Sequence, residues 1–175
     1  MAKEYTKDEL AKWFETKALS LKGTSARNVL FDADTRHTEA NKTFVGSMYF
    51  FRYDPKHKLT LSLYDKYPLA IVVEKYSDGF MGLNMHYMSK GQRGGAVRMF
   101  TDFYQKQKLQ KAPTTGRGLS NWELLTNTSS RIEGFARASV HRYLFNHVRS
   151  QFIRIEPNEY DKAVQLPIDE WVIKR

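Results

Sequence analysis

The groups with chemistry to offer in this chain are its carboxylates, histidines and basic side chains, and their spacing decides what kind of chemistry. Asp54, Asp65 and Asp78 are the aspartates of its best-patterned stretch. Metal-dependent phosphodiester cleavage needs two or three such groups converging on a cation pair. Each of the three lies in a turn signal, however, where aspartate is favoured for its local hydrogen bonds. His86, beside Tyr87, has the type of a general base, and equally that of a histidine hydrogen-bonded to a neighbouring strand or helix. His141 and His147 are six residues apart, which on a helix puts them on different faces and off a shared metal. Gly91-Gln92-Arg93-Gly94-Gly95 has the glycines of a phosphate cradle without the lysine-serine/threonine ending of a nucleotide-binding loop. There is no cysteine, which excludes thiol catalysis, zinc ribbons and a disulfide framework. The residues therefore predict no catalytic group, no metal and no cofactor. This chain binds rather than reacts.

Charge says what it binds. The net charge is +9, and residues 90–154 hold twelve Lys/Arg against three acids, so the remaining 110 residues are neutral. A surface of this kind fits a polyanion, and double-stranded DNA held through its phosphates without sequence preference is the expected partner. The candidate DNA-binding residues are Lys90, Arg93, Arg98, Lys106, Lys108, Lys111, Arg117, Arg131, Arg142 and Arg149. Lys106, Lys108 and Lys111 lead into the basic loop Pro113–Gly118, whose amides and side chains can follow a phosphate backbone. Arg131, Arg142 and Arg149 are spaced by eleven and seven, which on a helix brings them within about 20° of one another. The alternatives are a basic face that only keeps the protein soluble, and a charged face that meets acidic protein surfaces.

The elements that must position these residues are read from periodicity. Strand-type runs cover Met48–Tyr53, Leu69–Tyr76 and Phe80–Met88, and His57–Tyr64 alternates like a short strand. Gly79 is expected to supply the positive φ of a tight hairpin turn. Leu69–Val73 is continuously apolar, the pattern of a central strand covered on both faces, with helices as the cover. The predicted fold class is α+β: a small antiparallel β-barrel, SH3-like, packed with an N-terminal helix and two later basic amphipathic helices.

The first helix spans residues 6–22, opened by a Thr6/Glu9 capping box and carrying Leu10, Trp13, Phe14, Ala18 and Leu21 on one face. Residues 24–43 read as a loop anchored by Val29-Leu30-Phe31, or as an arm around a neighbouring subunit, so an oligomer is possible. Gly91–Gly95 reads as a loose turn before a helix from about Ala96 to Lys106. The second basic helix runs from Arg131 to about Arg149. In the tail, Phe152–Ile155 reads as a strand, Pro157 opens a short helix ending near Val164, and Trp171–Ile173 returns as an edge strand. One domain is expected over 1–175: helix and arm to 43, β core 44–88, basic helical region 89–150, closing segment 151–175. No apolar run approaches the roughly 20 residues of a bilayer span, and the charged N-terminus is unlike a secretory signal. No membrane partner is expected.

Five strings carry a resemblance: MYFFRYDPKHK, YDKYPLAIVVEKY and DGFMGLNMHYM, then HRYLFNHVRSQFIRI and LPIDEWV. Together, over residues 44–88 and 140–173, they resemble the DNA end protectors, small virion proteins of T-even-like contractile-tailed bacteriophages. That resemblance implies a virion protein, made in the host bacterial cytoplasm, that binds the termini of packaged DNA and protects them from host nucleases. It implies no catalytic residues. Other small phage proteins set the alternatives: a structural component of head completion, neck, tail or baseplate that contacts other head, neck or tail proteins, or a small-barrel nuclease.

Overall fold

A computed structural model describes residues 3–38, 44–61, 63–109, 139–166 and 172–174. The strands are β1 (Met48–Phe50), β2 (Leu63–Asp65), β3 (Leu69–Lys75), β4 (Gly79–Asn84), β5 (Val140–Leu144), β6 (Ile153–Ile155) and β7 (Val172–Lys174). Five of them form an antiparallel sheet in the order β5-β4-β3-β1-β6, and β2 pairs separately with β7. The register carries one apolar row across all five strands: Val140 opposite Leu83, Leu83 opposite Ile71, Ile71 opposite Met48, Met48 opposite Ile155.

Side chains alternate across a strand, and here both faces are buried. On one, Met48, Phe50, Leu69, Ile71, Leu83 and Ile155 pack beneath three helices: α1 (Lys7–Leu19) through Leu10 and Phe14, α3 (Lys90–Leu109) through Ala96 and Phe100, and α4 (Tyr160–Gln165) through Ala163. On the other, Tyr49, Phe51, Val72, Phe80, Tyr143 and Phe152 pack against Phe44 and α2 (Ala26–Thr38), which contributes Val29 and Ala33. The ring of Phe80 is at the centre of this second layer, 5.1 Å from Tyr143 and 5.6 Å from Phe51 between centroids. Such aromatic pairs add about 0.5–1.5 kcal/mol beyond the area they bury.

The mixed helix-and-sheet class holds, and the helix-covered central strand Leu69–Val73 is found as read. The closed barrel is not. A barrel encloses one interior, whereas this sheet is open, ends at β5 and β6, and has a core on each side. The α1 capping box forms, with the Glu9 amide donating to Thr6 Oγ1 at 3.3 Å and the Thr6 amide to Glu9 Oε2 at 2.8 Å. In the tail, β6, the 3-10 turn Pro157–Glu159 leading into α4, and β7 fall where the sequence puts them.

Four local expectations are corrected. Residues 26–38 are helical, not a loop, because Ser25 caps Asn28 and the i,i+4 pair Val29 and Ala33 finds an apolar sheet face to cover. Helix α3 begins at Lys90 and takes in Gly91, Gly94 and Gly95. Ser89 and Gln92 exchange backbone-to-side-chain bonds at its start, and Gly94 brings it against Val164 of α4. Gly79 has no positive φ, which among the described residues belongs to Gly46 alone. Instead, a Cβ on Gly79 would meet the Tyr143 carbonyl oxygen at 2.0 Å, so glycine is required by the closeness of β5. Finally, Val140–Leu144 is strand and Phe145–His147 a 3-10 turn, so no helix runs to Arg149. Tyr143 and Phe145 enter the second core from alternate positions, and this tertiary burial overrides the helical spacing. Residues 131–138 lie outside the described residues.

Candidate nucleic-acid interface

The sequence-predicted basic residues divide by environment. Lys90 and Arg98 are exposed on α3, and the same helix carries Lys106 and Lys108. Lys111, Arg117 and Arg131 lie outside the described residues. Arg142 is on β5, paired with Asp78, its guanidinium 3.9 Å from the Tyr76 ring centre. The single-face arginine line is therefore not formed by Arg142 and Arg149, which belong to a strand and to the segment after a 3-10 turn.

Arg93 leaves the surface altogether. It is fully buried, donating from Nε to the Met88 carbonyl at 3.0 Å and from Nη1 to the carbonyls of Val164 and Leu166. Burial pulls its pKa down to about 10, which leaves it charged at neutral pH. This guanidinium ties the start of α3 to the end of α4 and is not placed to reach DNA.

A basic cleft forms elsewhere, from three hydrogen-bonded chain segments. Residues 52–54 run between 66 on one side and 147–150 on the other. The Tyr53 amide donates to the Lys66 carbonyl at 2.9 Å, the Asp54 amide to the His147 carbonyl at 3.0 Å, and the Arg149 amide to the Arg52 carbonyl at 2.8 Å. Arg52 Nη2 returns a bond to the Arg149 carbonyl at 3.0 Å. The resulting cleft, about 440 Å³, is lined by Arg52, Tyr53, Asp54, Lys58, Tyr64, Lys66 and Arg149. Its four cations surround one carboxylate. Asp54 Oδ1 is 2.7 Å from Lys58 Nζ, and its Oδ2 is 4.0 Å from Arg149 Nη2. The Lys58 hydrogen bond, with the charges of Lys58 and Arg149, holds the Asp54 carboxyl below its usual range. The carboxylate thus orients two of the cations and leaves the cleft in positive excess.

Sharing Tyr53 and Tyr64 with this cleft is a second depression of about 410 Å³. Half-buried Tyr64, Tyr87 and His141 line it, with Leu61 and His57, and Arg142 stands at its rim. Besides Tyr53, the buried members of its lining are Asp65, Asn84 and Tyr143. They belong to one polar network. Asp65 Oδ2 accepts from His86 Nδ1 at 2.6 Å and from Asn84 Nδ2 at 3.0 Å, and Oδ1 accepts from the Tyr67 amide at 2.9 Å. Asn84 also donates to the Tyr143 hydroxyl at 3.0 Å and accepts from the His86 amide at 2.9 Å.

An Asp-His pair is a nuclease motif only if the imidazole can reach a substrate. His86 is fully buried, its ring 6.1 Å from that of Phe14, and its Nε2 has no hydrogen-bond partner. It therefore has no path to a substrate proton, and its visible role is to hold Asp65. Burial, and then the Asp65 charge, push the Tyr87 hydroxyl up to about 12 and raise Tyr143 well above its ordinary value. Both phenols stay neutral and donate or accept hydrogen bonds without acting as bases. Among the described residues, no three His, Asp or Glu side chains converge as a metal set.

The cleft cations Arg52, Lys58 and Lys66 escape the sequence reading, because Met48–Met88 has nearly balanced charge, five Lys/Arg to four acids. Folding segregates them. Asp65 is consumed in the buried network and Asp78 pairs with Arg142 at a distance from the cleft. The available signal was basic and aromatic residues side by side, as in Arg52-Tyr53 and Lys66-Tyr67.

The sequence model of one protein family, described as the phage T4 terminal DNA protecting protein, matches residues 9–175. No curated protein and no solved structure matches the chain. Among the described residues no helix is long and apolar enough to cross a membrane.

Proposed function

The chain belongs to the family of the phage T4 terminal DNA protecting protein, and on that premise we propose that it binds the ends of double-stranded DNA without sequence preference. In this reading it is a virion protein that shields packaged genome termini from host nucleases by occupying them, not by reacting with them. The observation that carries it is the basic cleft, where Arg52, Lys58, Lys66 and Arg149 are gathered around Asp54 on hydrogen-bonded backbone. Lysine and arginine contacts of this kind go to phosphates, which position a protein on DNA without reading bases. Lys90, Arg98, Lys106, Lys108, Lys111, Arg117, Arg131 and Arg142 supply further phosphate contacts, and Arg93 does not. The chain acts as one domain. The SH3-like reading keeps one support: residues 145–152, which open with a 3-10 turn, carry the chain from β5, at one edge of the sheet, to β6, at the other.

Gel-shift titrations of linear against closed circular duplex test the proposal. Linear DNA should bind more tightly, with an affinity that falls steeply as salt rises, and bound ends should resist an exonuclease. Absence of binding to linear duplex at low salt overturns it. The second reading, an assembly component whose charge meets other head, neck or tail proteins, then takes its place.

A further inference from the structure

The depression beside the cleft adds aromatic rings to its cations Lys56 and Arg142. We propose that it takes the unstacked bases of a single-stranded DNA terminus, while the phosphates of the same strand lie in the basic cleft. This rests on the DNA-binding reading above and adds the form of the end that is recognised.

Three observations carry it. First, the two depressions adjoin, since Tyr53 and Tyr64 line both. A strand leaving the cations of the cleft passes directly onto aromatic walls. Second, the lining is aromatic: Tyr87 and His141 are packed against each other, 4.6 Å apart between centroids and tilted by 42°, and both are half-buried, so a base would stack on the outer side of this pair and not between its rings. A positive groove that continues into aromatic side chains is how proteins hold single-stranded nucleic acid, because every base has a face to stack. Third, the buried lining is polar. Asn84 and Tyr143 line the same depression from buried positions, fixed by Asp65 and His86. A slot with ring walls and hydrogen-bonding groups in its lining matches a planar heteroaromatic group better than an aliphatic one. Its volume, about 410 Å³, is within the range of sites that enclose small ligands.

Bases within a duplex are stacked and paired, so their faces are closed to such a slot. Only an overhang or a frayed end offers them. An overhanging or frayed DNA end therefore differs from the middle of a duplex by a feature the groove can detect.

Two matched linear duplexes test the inference, one blunt and one with a short 3′ overhang carrying 2-aminopurine, with a 5′ overhang as a companion. Each stacked base contributes roughly tenfold to a hundredfold in affinity. The wild type should prefer an overhang to the blunt duplex by about tenfold or more, with a change in 2-aminopurine fluorescence on binding. His141→Ala, alone and with Tyr64→Ala, should reduce that preference toward unity and leave the salt dependence of blunt-end binding in place. His141→Ala is the safer variant if Tyr64→Ala lowers the melting temperature. Lys66→Glu should weaken both duplexes together. Equal affinity for blunt and overhanging ends with unchanged fluorescence overturns this inference and leaves duplex-end binding intact. Failure to bind either duplex removes the DNA reading itself. An overhang preference that survives His141→Ala and Tyr64→Ala, with particle assembly impaired instead, assigns the groove to a protein partner and also overturns it.

Discussion

At the junction of α3 and α4 the Arg93 guanidinium is sealed from water, with Nε and Nη1 donating to the carbonyls of Met88, Val164 and Leu166 and Nη2 buried without an acceptor. At the mouth of the cleft, the Arg149 side chain remains 43% exposed, with Nη1 donating to the Asn146 carbonyl and Nη2 within 4.0 Å of Asp54. The same side chain, in the same basic stretch of sequence, does two different jobs. Buried arginine has a few fixed acceptors that replace its water, and removing it leaves those acceptors unsatisfied. Exposed arginine keeps donors available to a phosphate that arrives later. A positive count in sequence sums both kinds, so the surface available to DNA is smaller than the count and differently placed.

The largest way to break this contrast is Arg93→Ala. It leaves buried carbonyls without donors and opens a cavity. The expected cost is about 3 kcal/mol, or roughly 6–12 °C in melting temperature for a chain of this length. The salt dependence of DNA binding in the folded variant should not change. Thermal denaturation together with a salt titration checks this, and a fully stable variant that has lost DNA affinity would put Arg93 on the DNA after all. Next comes Lys66→Glu combined with Arg149→Glu. Stability should move by no more than about 0.5 kcal/mol, and the slope of log affinity against log salt should fall by about 2.

A third cation, Lys17 of α1, sharpens the comparison from between the extremes. It lies 2.9 Å from Glu159, which also accepts from Trp13 Nε1 at 3.0 Å. Burial raises the Glu159 carboxyl, but the bonds from Lys17 and Trp13 outweigh it and hold the group below its ordinary 4.5. A carboxyl lowered in the folded state contributes stability that is complete above its unfolded pKa. That stability is lost as pH falls through the lower folded value. Denaturant melts should therefore show a contribution that disappears as pH is taken below about 4.5, and Glu159→Gln should remove that part of the pH dependence. Smallest of all is Arg142→Ala. The Asp78 pair is exposed on both sides, and its loss should change stability by about 0.5 kcal/mol or less.

The same contrast explains what was legible in advance. Leu69–Val73 declares a doubly covered strand because continuous apolarity has few other uses, and Thr6 with Glu9 declares a helix start because the capping bonds are local. Residues 140–149 mislead because Val140, Tyr143 and Leu144 satisfy a helical spacing, whereas in the strand Val140 and Tyr143 go to opposite cores. Only the waiting places beside Phe80 and Leu83 decide between helix and strand. Helix α2 is hidden for the opposite reason: two buried positions, Val29 and Ala33, are too few for a visible period. Of the site, Arg149 and Arg142 are readable from charge. Arg52, Lys58 and Lys66 become a cluster only when residues 52–54 are laid between residue 66 and residues 147–150, a juxtaposition with no local trace.

The pairing of β4 with β5 also sets an order of events in time. Between β3 and β4 the chain closes three residues, 76–78, while between β4 and β5 it must close the 55 residues 85–139. Loop closure of that length costs about 2–3 kcal/mol more in chain entropy, before any contact across β5 repays it. The β3–β4 hairpin is therefore the early nucleus, and docking of β5 onto it belongs late on the folding path. Stopped-flow kinetics should follow suit, with Leu83→Ala in the hairpin slowing refolding and Val140→Ala on β5 mainly speeding unfolding. Until β5 arrives, Phe80 lacks Tyr143, Gly79 has no carbonyl pressed against it, and Arg149 is not yet beside Arg52. The positive cleft is thus assembled among the last parts of the molecule, and a chain stalled before that step would carry its charges without its grip.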